Sequence, residues 1–270
     1  MTRFRDRYGQ YAIITGASSG IGEEFARQLA ERGLNLVLVA RRGNLLSELA
    51  DTLTSSFGVD VKTLPLDLIA VDAVDALLRE TEALDVGLAV LNAAQVVWGP
   101  FLDSTLQEVT DMITLNAVVP MQLAHEFGAR FNRRGRGGIV LVASQAGHQP
   151  TPYCANYSAS KAYVSMLGQA LHVELAKSGI DVTVLAPGVV DTAMYRAPKG
   201  ADITRMLLPV TGPQPVVTAA LQALGSKSVV IPGALNRAID VGFKHLIPRS
   251  VGVKMVGLMA IRTLHGAPKR

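Results

Sequence analysis

Seven short, nearly all-apolar runs recur along the chain, separated by segments whose apolar residues fall at helical spacing. The runs are YAIIT (11–15), LNLVLVA (34–40), VDVKTLPLDL (59–68), VGLAVLNAA (86–94), GIVLVAS (138–144), IDVTVLAP (180–187) and SVVIP (228–232). Between them lie IGEEFARQLAERG (21–33), closed by Gly33, LLSELADTLTSSFG (45–58), VDAVDALLRETEAL (71–84), and helices over about 105–131 and about 153–177. A strand with one wet face alternates apolar and polar residues; one covered on both faces does not. The pattern predicts an α/β fold in which helices cover both faces of one seven-stranded parallel sheet, a single doubly wound domain over residues 1–232. Residues 233–270 are expected to form a C-terminal extension. The polar N-terminus MTRFRDRYGQ is expected to lead straight into the first strand.

Composition narrows the function classes. Half the residues are hydrophobic (49%) and 18% are charged, a globular balance and not a disordered one. The single cysteine, Cys154, excludes an internal disulfide and is compatible with a reducing compartment. The N-terminus has no apolar signal core, and no apolar run reaches a membrane span, so a soluble, cytoplasmic protein is expected. The net charge of +4 is unevenly placed: residues 236–270 carry +6 and the first 235 residues −2. Because Val, Met, Leu and Ile interleave those basic residues, no nucleic-acid partner is expected. The five histidines and one cysteine show no metal-ligand spacing, and no metal is expected.

The first strand runs directly into TGASSGIG (15–22) and then a helix. In such a turn Gly16, Gly20 and Gly22 allow a tight bend, close approach of backbone to a pyrophosphate, and helix–sheet packing. The helix N-terminus behind Ser18, Ser19 and Ile21 offers free N–H groups to phosphate. After the second strand, where a carboxylate would bond a ribose 2′-hydroxyl, the chain has Ala40, Arg41 and Arg42. Two guanidiniums and no acid favour a 2′-phosphate, so NADP(H) is the expected cofactor, with Arg41 the preferred partner as first off the strand. Asp67, with Leu68 beside it, is placed to accept from an adenine amino group or to serve as a turn residue. Asn92 and the small Ala93 and Ala94 let backbone approach a ribose.

Three of the six tyrosines fall in YCANYSASKAY (153–163). Residues four apart share a helix face, and only Tyr157 has a cation in that register, Lys161. Tyr163 faces roughly 200° away from Lys161 on the helix, and Tyr153 has no basic residue four positions on. An ammonium beside the phenol is expected to lower its pKa, fitting Tyr157 as general acid/base. Asn116 lies mid-helix in LNAVVP, and Pro120 brings no N–H to its carbonyl, so the helix is expected to be perturbed there and the carbonyl to take another ligand, such as water. Cys154 has no histidine in register and is not expected to be a nucleophile. His148 either lines the substrate pocket or has no special role.

Together TGASSGIG, the NAA run at 92–94, Asn116, Ser144, YSASK (157–161) and PGVVDT (187–192) resemble the short-chain dehydrogenase/reductase family over roughly residues 10–232. The resemblance implies a Rossmann-type fold and a tetrad of Asn116, Ser144, Tyr157 and Lys161. It makes Tyr157 the acid/base, gives Lys161 the nicotinamide ribose and the lowering of the tyrosine pKa, and gives Ser144 the substrate carbonyl. It places a proton-relaying water at Asn116, and it assigns Pro187, Gly188, Val190 and Thr192 to the nicotinamide, with Thr192 on the carboxamide. One departure stands out: Leu91-Asn92-Ala93-Ala94 replaces the family's Asn-Asn-Ala-Gly, which is harmless only if residue 94 does not need a positive φ.

The substrate pocket is expected from loops at the strand ends: Gln95–Phe101, Gly147–Tyr153 and residues 193–212. These contribute Val96, Trp98, Met194, Met206, Leu207 and Leu208 and few charges, which suits an apolar carbonyl such as a steroid or a 3-oxoacyl chain. The extension is expected to pack on the core or on a partner subunit of a homo-dimer or homo-tetramer, or to touch an anionic membrane surface. Its look, with the ARR after strand two, is similar to the hydroxysteroid dehydrogenase and ketoacyl reductase subgroup. A non-catalytic NADP(H)-binding sensor or scaffold is the alternative.

Overall fold

A computed structural model describes residues 4–196 and 208–264. The chain runs α1 (Phe4–Tyr8), β1 (Tyr11–Thr15), α2 (Gly20–Glu31), β2 (Asn35–Ala40), α3 (Gly43–Phe57), β3 (Val61–Pro65), α4 (Ala73–Glu80) and β4 (Val86–Leu91). It continues with α5 (Leu106–Ile113), a π-helical turn (Thr114–Val118), α6 (Val119–Arg134), β5 (Gly137–Val142), α7 (Ala155–Ala176) and β6 (Ile180–Leu185). Then come β7 (Val189–Val190), α8 (Ala193–Arg196), β8 (Val210–Thr211), α9 (Pro213–Ala223) and β9 (Val229–Val230). The extension folds as α10 (Ala234–Val241), a second π-helical turn (Gly242–Leu246) and α11 (Arg249–Leu264).

Seven strands form one parallel sheet in the order β3-β2-β1-β4-β5-β6-β9. Each buried strand feeds two cores at period two. Ile14, Leu36, Leu38, Val90 and Val140 face one layer with Phe25 and Leu29 of α2, Leu46 of α3 and Val217 of α9. Ile13, Val37, Val39, Ala89 and Leu141 face the other, with Leu77 of α4, Phe127 and Phe131 of α6 and Val164 of α7. That two-sided burial explains the unbroken apolar runs, each large side chain contributing about 1.5–3 kcal/mol.

Three features differ from the expected pattern. A short helix, α1, precedes β1, and Tyr8 and Arg7 clasp Asp181 of β6 at 2.8 and 2.6 Å. Five residues are too few to display a helical period. Helix α9 lies in a stretch without charge contrast, and the last strand shrinks to two residues. The helix expected near Asn116 is interrupted by the π turn, where the N–H of Val119 reaches back five residues to Thr114. Pro120, with no N–H to give, follows directly. Among the described residues no helix is long and apolar enough to cross a membrane.

Candidate active site

The strand order reverses between β1 and β4, and a cleft opens beyond their carboxyl ends. Thr15 ties the two strands together: its Oγ1 accepts from the N–H groups of Asn92 and Ala93, both at 3.0 Å. The Asn92 amide donates to the carbonyls of Thr15 and Gly16 at 2.9 and 3.3 Å, so this side chain holds the glycine loop itself. Gly16 and Gly20 have φ of +69° and +61°. A methyl at Gly22 would stand 2.2 Å from the Gly16 carbonyl oxygen, and one at Gly20 2.7 Å from Cγ2 of Thr192. The loop therefore packs too tightly for side chains, and Ser19 leaves the first N–H groups of α2 without a side-chain cap.

Arg42, and not the preferred Arg41, bonds the loop serines: its Nη2 donates to Ser18 Oγ and Ser19 Oγ, each at 2.9 Å. Arg41 lines the same cavity. Asp67 closes a turn, its Oδ1 accepting from the N–H of Ile69 at 3.2 Å, and also lines the cavity beside Leu68. The turn reading of Asp67 is the one its hydrogen bond shows.

At the other end, α7 brings Tyr157 and Lys161 onto one face, with Nζ of Lys161 5.8 Å from the Tyr157 ring centre. Lys161 is buried, and its ammonium donates to the Val142 carbonyl at the end of β5, 2.8 Å away. Burial draws the Lys161 pKa down to about 8. Burial also pushes the Tyr157 phenol up to about 12, with a further push from Cys154 and an opposing hydrogen bond with Ser144. This corrects the expectation that the ammonium would lower the phenol's pKa: with Nζ turned to a backbone carbonyl, desolvation wins. Ser144 Oγ also accepts from the N–H of Ala146 at 3.2 Å.

Asn116 is buried behind this group. Its Oδ1 accepts from the Gln95 N–H and its Nδ2 donates to the Gln95 carbonyl, both at 2.9 Å, and to Ser160 Oγ at 3.2 Å. The side chain thereby joins the π turn, the β4 exit loop and α7. The other tyrosines stand apart. Tyr163 is exposed, and Tyr153 borders a separate small crevice. Tyr153 alone among the described non-glycine residues has a positive φ, at 63°. Ala94 therefore sits in ordinary backbone, and its departure from the family's glycine carries no strain. Cys154 is buried, with its thiol pKa pushed up by desolvation, which leaves it unreactive.

The loop, the arginines, Ser144, Tyr157, Lys161, Pro187, Gly188, Val190 and Thr192 all border one cavity of about 470 Å³. Gly22 and Asn116 are not in its wall: Gly22 packs on Gly16, which is, and the partners of Asn116, Gln95 and Ser160, are chain neighbours of the lining residues Ala94, Val96 and Lys161. Val96, Trp98, Met194 and Leu208 line its apolar end, as expected, while Met206 and Leu207 lie outside the described residues. Residues the sequence reading did not assign complete that end: Ile239, Phe243, Val256 and Met259 of the extension.

The extension docks on the loop after β5. Gln145 Nε2 donates to the Asn236 carbonyl at 2.7 Å, and His148 Nδ1 meets Asp240 Oδ1 at 2.5 Å while its Nε2 faces Ser165 Oγ at 3.3 Å. Gly252 and Gly257 of α11 are close-packed on Gln149 and Pro152. His148 thus links the loop to both α7 and α10. Asp240 carried one signal in the sequence, as the sole acid in residues 236–270.

Comparison with known proteins agrees with this architecture. The model of the short chain dehydrogenase family matches residues 10–201. A 7beta-hydroxysteroid dehydrogenase of Clostridium sardiniense is 32% identical over 234 residues, 87% of this chain and 89% of the relative. A very-long-chain 3-oxoacyl-CoA reductase of Neurospora crassa is 36% identical over 225 residues, 82% of this chain and 66% of the relative. Among solved structures, a short-chain dehydrogenase from Sphingobium yanoikuyae in complex with NADPH superposes with a TM-score of 0.77 at 33% identity, covering 89% of this chain and 97% of that one. Members of this family use a nicotinamide cofactor on hydroxyl or carbonyl groups. The chain belongs to the short-chain dehydrogenase/reductase family and is an oxidoreductase of its hydroxysteroid and ketoacyl reductase-like branch.

Proposed function

We propose that the protein interconverts a ketone and a secondary alcohol on an apolar substrate, using NADP(H), with Tyr157 as acid/base. The observation that carries this reading is the meeting of Ser144, Tyr157 and Lys161 where the glycine-loop end of the cavity joins its apolar end. The glycine cradle and uncapped start of α2 fit a pyrophosphate, and Arg42 on Ser18 and Ser19, with Arg41 beside it, fits a 2′-phosphate. Pro187, Gly188, Val190 and Thr192, which line the same cavity as Tyr157, would hold a nicotinamide, and Asp67 would accept from adenine.

The bound cofactor supplies the hydride; the protein's own groups handle the oxygen and its proton. Ser144 donates a hydrogen bond to the substrate carbonyl. Tyr157 gives its phenolic proton to the oxygen as negative charge develops there, and takes one back from an alcohol in reverse. Lys161 would hold ribose hydroxyls, and its ammonium, anchored on the Val142 carbonyl, keeps a positive charge beside the Tyr157 ring. Asn116 acts through others, bracing the Gln95 loop against α7. With the phenol pushed up to about 12, Tyr157 is protonated at neutral pH and ready to act as an acid. Reduction is therefore expected to stay flat through neutrality and oxidation, which needs the phenolate, to climb with pH, which kcat/KM measured against pH in each direction checks.

The walls built by Val96, Trp98, Ile239, Phe243 and Met259 suit a steroid or a 3-oxoacyl chain better than a sugar. Exposed Leu106 of α5 and Met166 and Val173 of α7 support assembly into a homo-dimer or homo-tetramer, which light scattering on the purified protein checks.

The test is NADPH consumption across steroids, 3-oxoacyl thioesters, quinones and aldehydes, with NADH in parallel and Tyr157→Phe as control. We expect turnover favouring NADPH and a loss of about 10²- to 10⁴-fold in the variant, with NADPH affinity retained. Equal activity in the variant overturns the assignment of Tyr157; tight NADPH binding without turnover of any carbonyl favours the sensor reading.

A further inference from the structure

Helix α11 is apolar on two faces. Gly252, Val256, Met259 and Ala260 face inward, with Val256 and Met259 at the cavity, whereas Val251, Met255 and Leu258 form an exposed row at i, i+4, i+7. The preceding segments expose further large apolar side chains, Leu246 at 78% and Leu235 at 60%. A surface helix ordinarily buries one apolar stripe and turns a polar face outward, whereas this one also exposes a second apolar row to solvent.

The charges around that row have one sign. Arg237, Arg249, Lys254 and Arg262 are exposed, as is Lys244 at the cavity rim, and the segment's sole acid, Asp240, is turned inward to His148. The first 235 residues carry −2, so the basic charge is concentrated in this segment. A second copy of the chain seated on it would set these cations against their own equivalents, which is disfavoured. A surface combining an apolar interior with negative headgroups complements both features at once.

We propose that the outer face of residues 235–262 is a docking surface for an anionic lipid bilayer. The face is independent of the redox reading. If that reading also holds, the same helix walls the substrate cavity on one side and rests on lipid on the other, an arrangement suited to carbonyls dissolved in a membrane.

The test is co-flotation of the full-length protein with vesicles of phosphatidylcholine alone and of phosphatidylcholine mixed with phosphatidylglycerol. We expect partitioning at least about tenfold stronger onto the anionic vesicles. A Leu246→Glu/Leu258→Glu variant should lose that binding, and Arg249→Gln/Lys254→Gln should weaken it about 30-fold. None of these four residues lines the cavity, so turnover of a soluble ketone, or NADPH affinity if no ketone is turned over, should stay within about twofold of the parent in both variants. Failure of the parent to float with anionic vesicles overturns the proposal, as does undiminished flotation of the Glu variant. A fall in oligomeric mass of the Glu variant, without lipid binding by the parent, would assign the face to a second copy instead.

Discussion

The two ends of the cleft are built by different means. The phosphate end is made of backbone: Gly16, Gly20 and Gly22 are there because a side chain has no room, and Thr15 and Asn92 hold the loop from the neighbouring strand. The apolar end is made of side chains brought from far apart, with Gln145 and His148 meeting Asn236 and Asp240 some ninety residues later. The first end tolerates almost no change in a handful of positions. The second is a lined cavity whose walls can be exchanged one at a time, which is how one family fold serves many carbonyls.

If this contrast is right, the largest single effect comes from the backbone end. Gly22→Ala puts a methyl 2.2 Å from the Gly16 carbonyl oxygen and 2.6 Å from Nδ2 of Asn92, both held by the sheet. NADPH Kd should rise by about 10- to 100-fold, matching the 1–3 kcal/mol typical of overpacking. Fluorescence titration measures it, with circular dichroism to confirm the fold; an unchanged Kd would mean the loop gives way.

Arg42→Ala comes next and tests the 2′-phosphate assignment. Removing a charge-assisted contact should cut the NADPH-over-NADH preference about tenfold, while Arg41→Ala does less. Measuring kcat/KM with both cofactors decides it. A larger loss in Arg41→Ala would restore the first residue off β2 as the principal partner.

Asp240→Asn sharpens the contrast from the other side. It weakens the His148 link that seats α10 on the catalytic loop without touching the glycine cradle. KM for a bulky apolar ketone should rise about fivefold, with kcat for a small ketone and NADPH Kd unmoved. If Kd rises by the same factor, the two ends are mechanically coupled and the contrast fails.

How much the sequence discloses follows the same division. A backbone requirement is written into residue identity at the site itself, so the glycine loop, the Tyr157–Lys161 spacing and the disturbance at Asn116 could be read locally. The sheet was legible because burial on both faces leaves unbroken apolar runs. The C-terminal wall was not, because α11 owes its place to contacts with Gln149 and Pro152 that no local pattern encodes, and its two apolar faces cancel any amphipathic signal. The direction of the Tyr157 pKa was misread for a related reason: helical spacing places Lys161 near, but where its Nζ points is set by the Val142 carbonyl on another strand.

Ala94 gives the smallest effect and the most discriminating one. It stands in the backbone-built end, where the family pattern has glycine, yet its φ is not positive, in contrast to Gly16 and Gly20. If backbone conformation alone governs that end, the methyl costs nothing in the folded state and restricts the unfolded chain. Ala94→Gly should then lower stability by about 0.4–1 kcal/mol and leave NADPH Kd within about twofold. Urea denaturation and cofactor titration on one preparation measure both. A gain of tenfold or more in NADPH affinity would instead mean that the methyl obstructs the cofactor, and that space at residue 94, and not its φ, is what a glycine would provide.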